Sequence, residues 1–117
     1  RGKYLFFPLI NYVVMPRVGY RPECASFIDT AARLTEEIEI LILEVDGRRV
    51  ENLEAHRQAT GCFDVGALAN PPIAGYPSAA NGYYVMLEPL GSGTHELSFG
   101  GVLPSMMQAV KYTLIVE

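Results

Sequence analysis

The chain has 117 residues, half of them hydrophobic and 19% charged, which excludes an intrinsically disordered chain and suits one domain burying roughly two-thirds of its unfolded surface. Thirteen acidic against nine basic side chains leave a net charge of −4, and Arg48-Arg49 is the sole adjacent basic pair. The basic stripe that a nucleic-acid binder needs to neutralise phosphates is therefore missing, and the longest apolar run, Tyr4–Met15, is too short and too broken by Pro8 and Asn11 for a transmembrane segment.

Tyr4–Ile10 is rich in aromatic and branched residues and predicts a strand, with Pro8 marking an edge or a bulge. Met15–Pro22 carries Pro16, Gly19 and Pro22 and reads as a loop. The period then changes. Cys24, Phe27, Ile28, Ala31 and Leu34 recur at helical spacing, predicting a helix from about Pro22 to Thr35. Pro22 suits its first position, Glu23 its positive end and Arg33 its negative end.

Glu37–Val45 predicts a strand in which Ile38, Ile40 and Ile42 face one way and Leu41, Leu43 and Val45 the other. With both faces apolar it reads as central and covered on both sides, one cover being the preceding helix. Asp46-Gly47 is a two-residue hairpin signal with a return strand at Arg48–Val50. Asn52–Gln58 suits a turn of helix, Cys62–Val65 a short strand, and Ala67–Asn81 a long loop holding Pro71, Pro72, Gly75 and Pro77. Three strands follow at Tyr83–Glu88, Thr94–Phe99 and Gln108–Glu117, separated by Pro89–Gly93 and by a loop beginning at Gly100. In the last of them Val110, Tyr112, Leu114 and Val116 face the core.

These elements describe a mostly-β, immunoglobulin-like antiparallel β-sandwich with one α-helix (about 22–35) packed on a sheet, a single domain over residues 1–117. Cys24 and Cys62 are too few for a structural zinc site and form no C-x-x-C pair. They are either one disulfide or two buried thiols, the second reading suiting the position of Cys24 on an apolar helix face.

The segments Lys3–Asn11, Val45-Asp46-Gly47, Gly82–Leu90, Gly93–Gly101 and Tyr112–Val116 together resemble, in order and over nearly the whole chain, a family of uncharacterised bacterial exported β-sandwich proteins. The resemblance implies export to the periplasm or outside the cell, and that the chain is the C-terminal part of a longer precursor. The residues themselves name no compartment. Family members often carry tryptophan where Tyr84 stands here, and the family has no assigned activity or catalytic residues to carry over.

His95 is the candidate for chemistry. It shares strand parity with Leu97 and Phe99, so its imidazole points inward and needs a loop carbonyl or a carboxylate as partner, with Asp64 and Glu88 as the candidate acids. The structural alternative is a histidine that locks a turn. Tyr76 in the long loop, with Tyr83 and Tyr84, suggests an aromatic platform for a sugar or peptide, although one of the adjacent pair must be core. Tyr76, Tyr84 and His95 are thus the candidate ligand-binding residues. His56 reads as solvated, the scattered aspartates suit no calcium loop, and Ser92 lies in a strand-to-strand turn, so no metal or cofactor is implied.

Apolar strands and Leu103, Met106 and Met107 exceed what so small an interior holds, which suggests a partner, or pairing of strand edges near Tyr4–Ile10 or Gln108–Glu117 in a homo-oligomer. The expected function is a non-catalytic binding or protein-interaction domain of a bacterial exported protein with an unknown ligand or partner. The alternatives are a small hydrolase or lyase-like enzyme using His95 with a carboxylate, and a structural self-assembling subunit.

Overall fold

The alternating pattern of the last third of the chain folds into long paired strands in a computed structural model that describes residues 2–16, 23–68 and 75–117. In chain order the elements are β1 (Leu5–Val14), α1 (Cys24–Leu34), β2 (Ile40–Val45), β3 (Arg48–Arg49), a 3-10 turn at Leu53–His56, β4 (Arg57–Ala59), a second 3-10 turn at Val65–Leu68, β5 (Ala79–Leu87), β6 (Gly93–Leu103) and β7 (Met106–Val116). The strands form two antiparallel sheets, ordered β1-β5-β4 and β3-β2-β6-β7, so the fold is mostly β and sandwich-like with one helix. None of the described helices is long and apolar enough to cross a membrane. The chain divides into two compact units, the first of Arg1–Ile10, Glu37–Arg57 and Tyr83–Glu117, the second of Asn11–Glu36 and Gln58–Gly82.

In the first unit, buried residues of both sheets share one interior. Leu9 and Ile10 come from β1, Leu43 from β2, Tyr83 and Val85 from β5, and Leu97, Phe99 and Leu103 from β6, all buried. Burying each aliphatic among them contributes about 1.5–3 kcal/mol. Val110 and Leu114 of β7 pack against this cluster at the predicted parity, while Tyr112, expected in the core, is more than half exposed at the sheet's edge. Asp46 and Gly47 make the predicted hairpin, with φ of 52° and 79°.

Three further expectations in this unit need correction. Gly100 and Gly101 lie inside β6, not in a loop, and Pro104-Ser105 forms the turn to β7. A Cβ at Gly100 would collide with the Gln108 carbonyl, and one at Gly101 would sit 2.8 Å from Ile10 Cγ2. These glycines serve close backbone approach. The return strand after the hairpin is limited to Arg48–Arg49. And β2 is not covered on both sides: Ile40, on its outward side, is 49% exposed.

The second unit shows where the helix is spent. Phe27 and Ala31 pack with Ala79, flanked by Val14 and Ile28, so α1 covers the ends of β1 and β5. Its start falls at Cys24, with Glu23 as an extended N-cap residue that makes no side-chain cap bond. The expected loop over Met15–Pro22 and the N-terminal Pro22 lie mostly outside the described residues. Arg33 sits in the last turn, as expected, paired with Asp29 at 2.9 Å.

Cys62–Val65 was expected as a strand, but pairing there reduces to a single bridge, Phe63 with Ser78, through bonds of 2.9 and 2.8 Å. The chain turns away because the Asp64 carboxylate accepts the Gly66 N–H at 3.0 Å and starts the 3-10 turn. β5 starts at Ala79, within the expected Ala67–Asn81 loop, whose residues 69–74 lie outside the described set. Of the two readings of the cysteines, the disulfide is the one that forms: Cys24 and Cys62 are bonded, their Cα atoms 6.0 Å apart.

Candidate functional site: a histidine clasp and an aromatic face

The register of β2 on β6 pairs Val45 with Leu97, which carries the hairpin residue Asp46 to the level of Glu96 and His95. There the two backbones lock. The Asp46 N–H donates to the Glu96 carbonyl at 2.8 Å, and the Glu96 N–H donates to Asp46 Oδ1 at 2.8 Å. The other carboxylate oxygen, Oδ2, lies 2.7 Å from His95 Nδ1, and His95 Nε2 lies 2.7 Å from the Gly91 carbonyl. The imidazole, its side chain 17% exposed, thus bridges the β2–β3 turn and the loop before β6.

Both partners of the ring are acceptors. A neutral imidazole has one N–H, so both bonds form together when the ring is an imidazolium facing an ionised Asp46. The hydrogen bond to Asp46 raises the His95 pKa above its ordinary 6.5, helped by the Gly91 carbonyl and opposed by desolvation. The same bond lowers the Asp46 pKa below 3.8, helped by the Glu96 N–H. Chemically the result is a clasp. Nδ1 and Nε2 are both engaged by the protein, and neither presents a lone pair to a substrate.

The acid beside His95 is therefore Asp46. Asp64, one expected partner, belongs to the second unit and caps Gly66, and Glu88, the other, is exposed. Asp46 was legible only as a turn residue; extending the β2–β6 register by one position is the signal that finds it.

The tyrosines separate. Tyr76 is exposed in the second unit, before the cis-bonded Pro77. Tyr83 is core, and Tyr84, on the opposite side of β5, stacks on Phe6 of β1 with ring centroids 5.8 Å apart and planes within 5°. Tyr84 thus faces away from the interior, whereas His95 shares the inward side of β6 with Leu97 and Phe99. These two candidates do not share a site.

Around Tyr84 the structure shows a surface that the tyrosine reading missed. Tyr4, just before β1, has the parity of Phe6 within it, Tyr84 and Met86 share a parity on neighbouring β5, and Tyr4, Phe6 and Met86 are each more than 60% exposed. The signal was present in the N-terminal run, where Tyr4 and Phe6 alternate with Leu5, Phe7 and Leu9. Among the described residues no three His, Cys, Asp or Glu side chains cluster as a metal site, and His56 is exposed at the end of its 3-10 turn. Ser92 donates its hydroxyl to the Glu117 carbonyl at 3.3 Å.

The chain matches no protein-family model, no curated protein and no solved structure.

Proposed function

We propose that this chain is a non-catalytic interaction domain of a bacterial exported protein, and that the face of Tyr4, Phe6, Tyr84 and Met86 is its contact surface for a peptide segment of a partner protein. The observation that carries the reading is the Phe6–Tyr84 ring stack across two neighbouring strands, with Phe6 and Met86 exposed on the strands, Tyr4 exposed just before β1 and Tyr84 half-buried. Exposed apolar groups in a contiguous set mark interaction sites, and aromatic and methionine side chains are the types enriched at the centres of interfaces. A sugar site would gather polar side chains around a stacking ring, and the same-side neighbour of Phe6 on β1 is Pro8. Export is supported by the Cys24–Cys62 disulfide, a bond that persists in oxidising compartments, and by the family resemblance.

A hydrolase or lyase-like reading would use the His95–Asp46 pair, at 2.7 Å, but it requires Nε2 to be available, and Nε2 is held by Gly91. A displayed peptide library selected on the wild-type chain tests the proposal. Selected peptides should lose at least about tenfold in affinity for Phe6→Ser and Tyr84→Ser and keep it for Tyr76→Ala. Peptides indifferent to both substitutions on the face would refute it.

A further inference from the structure

The two edges of the four-stranded sheet are built differently. β3 closes one edge with two residues, both exposed arginines, a short charged end that discourages further pairing. β7 closes the other with eleven residues. It holds register with β6 through every position from Gly93↔Val116 to Leu103↔Met106, with no bulge to twist it away. It contains no proline or glycine and one charged residue, Lys111. Lys111, Tyr112 and Thr113 are exposed in succession, so both faces of the strand meet solvent at its centre, and Met107 and Ile115 are 72% and 77% exposed. The edge strand β1 of the other sheet is interrupted by Pro8. Among the described strands, β7 is thus the long edge with the least protection: Lys111 is its one charge, and its Gln108 amide donates to the Pro8 and Leu9 carbonyls of β1.

Such an edge presents alternate N–H and C=O groups that an extended strand satisfies. We propose that β7 pairs with β7 of a second copy of this chain, antiparallel across a two-fold axis, joining the four strands of each copy into one continuous sheet. Charge selects the register. An axis through Lys111 would set that lysine against its own mate, which is unfavourable. An axis through Thr113 or Leu114 instead brings Lys111 diagonal to, or directly opposite, the partner's Glu117. The contact occurs twice by symmetry, and Glu117, one position past the end of the strand, shares the parity of the outward Lys111. The Ser92 hydroxyl donates to the Glu117 carbonyl beside that contact.

Sedimentation equilibrium of the full chain over a concentration series tests the pairing. The wild type should show a monomer–dimer equilibrium. Lys111→Glu and Glu117→Lys should each weaken it about tenfold, since each places like charges in two symmetric contacts. The double variant should return to within about threefold of the wild type, because it restores opposite charges. Both side chains are exposed, so the fold tolerates the changes, and circular dichroism checks this. A monomer at every concentration would overturn the proposal. So would a dimer unmoved by either single reversal, a double variant no tighter than the singles, or an edge that takes up an unrelated extended peptide in place of the second copy.

Discussion

Replacing Gly101 with alanine puts a methyl group 2.8 Å from Ile10 Cγ2, 3.1 Å from the Ile40 carbonyl oxygen and 3.2 Å from Ile10 Cβ. None of these neighbours can retreat easily. Ile10 is fully buried and branched at Cβ, so its γ2 methyl cannot swing aside without a rotamer change. The Ile40 carbonyl is backbone at the β2–β6 pairing. Overfilling a packed interior in this way costs about 1–3 kcal/mol. Alanine also restricts the unfolded chain, which offsets about 0.4–1 kcal/mol. The steric effect wins, leaving a net loss of about 0.5–2 kcal/mol. Urea unfolding followed by circular dichroism should show a midpoint lower by about 0.3–1 M at unchanged slope. Adding Ile10→Leu, which removes the β-branch, should recover part of the loss, giving a coupling of about 0.5 kcal/mol or more between the two positions. A midpoint equal to or above the wild type would refute the close approach of β1 to β6.

The clasp predicts a pH window. The raised His95 pKa means its contribution is complete below about 6.5 and is lost as pH rises through the folded-state value. The lowered Asp46 pKa means its contribution is complete above about 3.8 and is lost as pH falls through the folded-state value. The stability advantage of the wild type over His95→Gln should therefore peak between about pH 4 and 6.5, and an advantage that grows toward pH 8 would contradict the assignment. Reducing Cys24–Cys62, which are separated by 38 positions, should cost about 4 kcal/mol by chain entropy and speed amide exchange in α1; unaltered exchange would show that the bond constrains little. Arg33→Ala breaks an ion pair that is well exposed on both sides, so thermal denaturation should report a change under about 0.5 kcal/mol.

Periodicity revealed what depends on one residue's relation to its near neighbours. The alternation of Leu41, Leu43 and Val45, of Leu97 and Phe99, and of Val110 and Leu114 placed β2, β6 and β7 and their inward sides, and Asp46-Gly47 named the turn. What it could not reveal depends on the residue across the gap. Gly100 and Gly101 look like a loop until Gln108 and Ile10 are found opposite them, so close that a Cβ would force a neighbour to shift. Ile40 looks covered from its apolar neighbours in sequence, yet it is about half exposed. The partner of His95 is legible in kind, a carboxylate and a loop carbonyl, but Asp46 lies 49 positions away and becomes its neighbour through strand register. Tyr84 stood out as a platform residue, while Phe6, which stacks on it, was hidden in a run that reads as ordinary strand.

The ring that the Cys24–Cys62 bond closes has a mechanical consequence. β2 and β3, which belong to the first unit, lie between two cysteines that belong to the second. Once the chain is unfolded, tension applied at its two ends passes through the sulfur bridge and leaves that stretch without load. In a single-molecule pulling trace, adding a reductant should lengthen the fully extended chain by about 130 Å, the reach of the 38 positions between the cysteines.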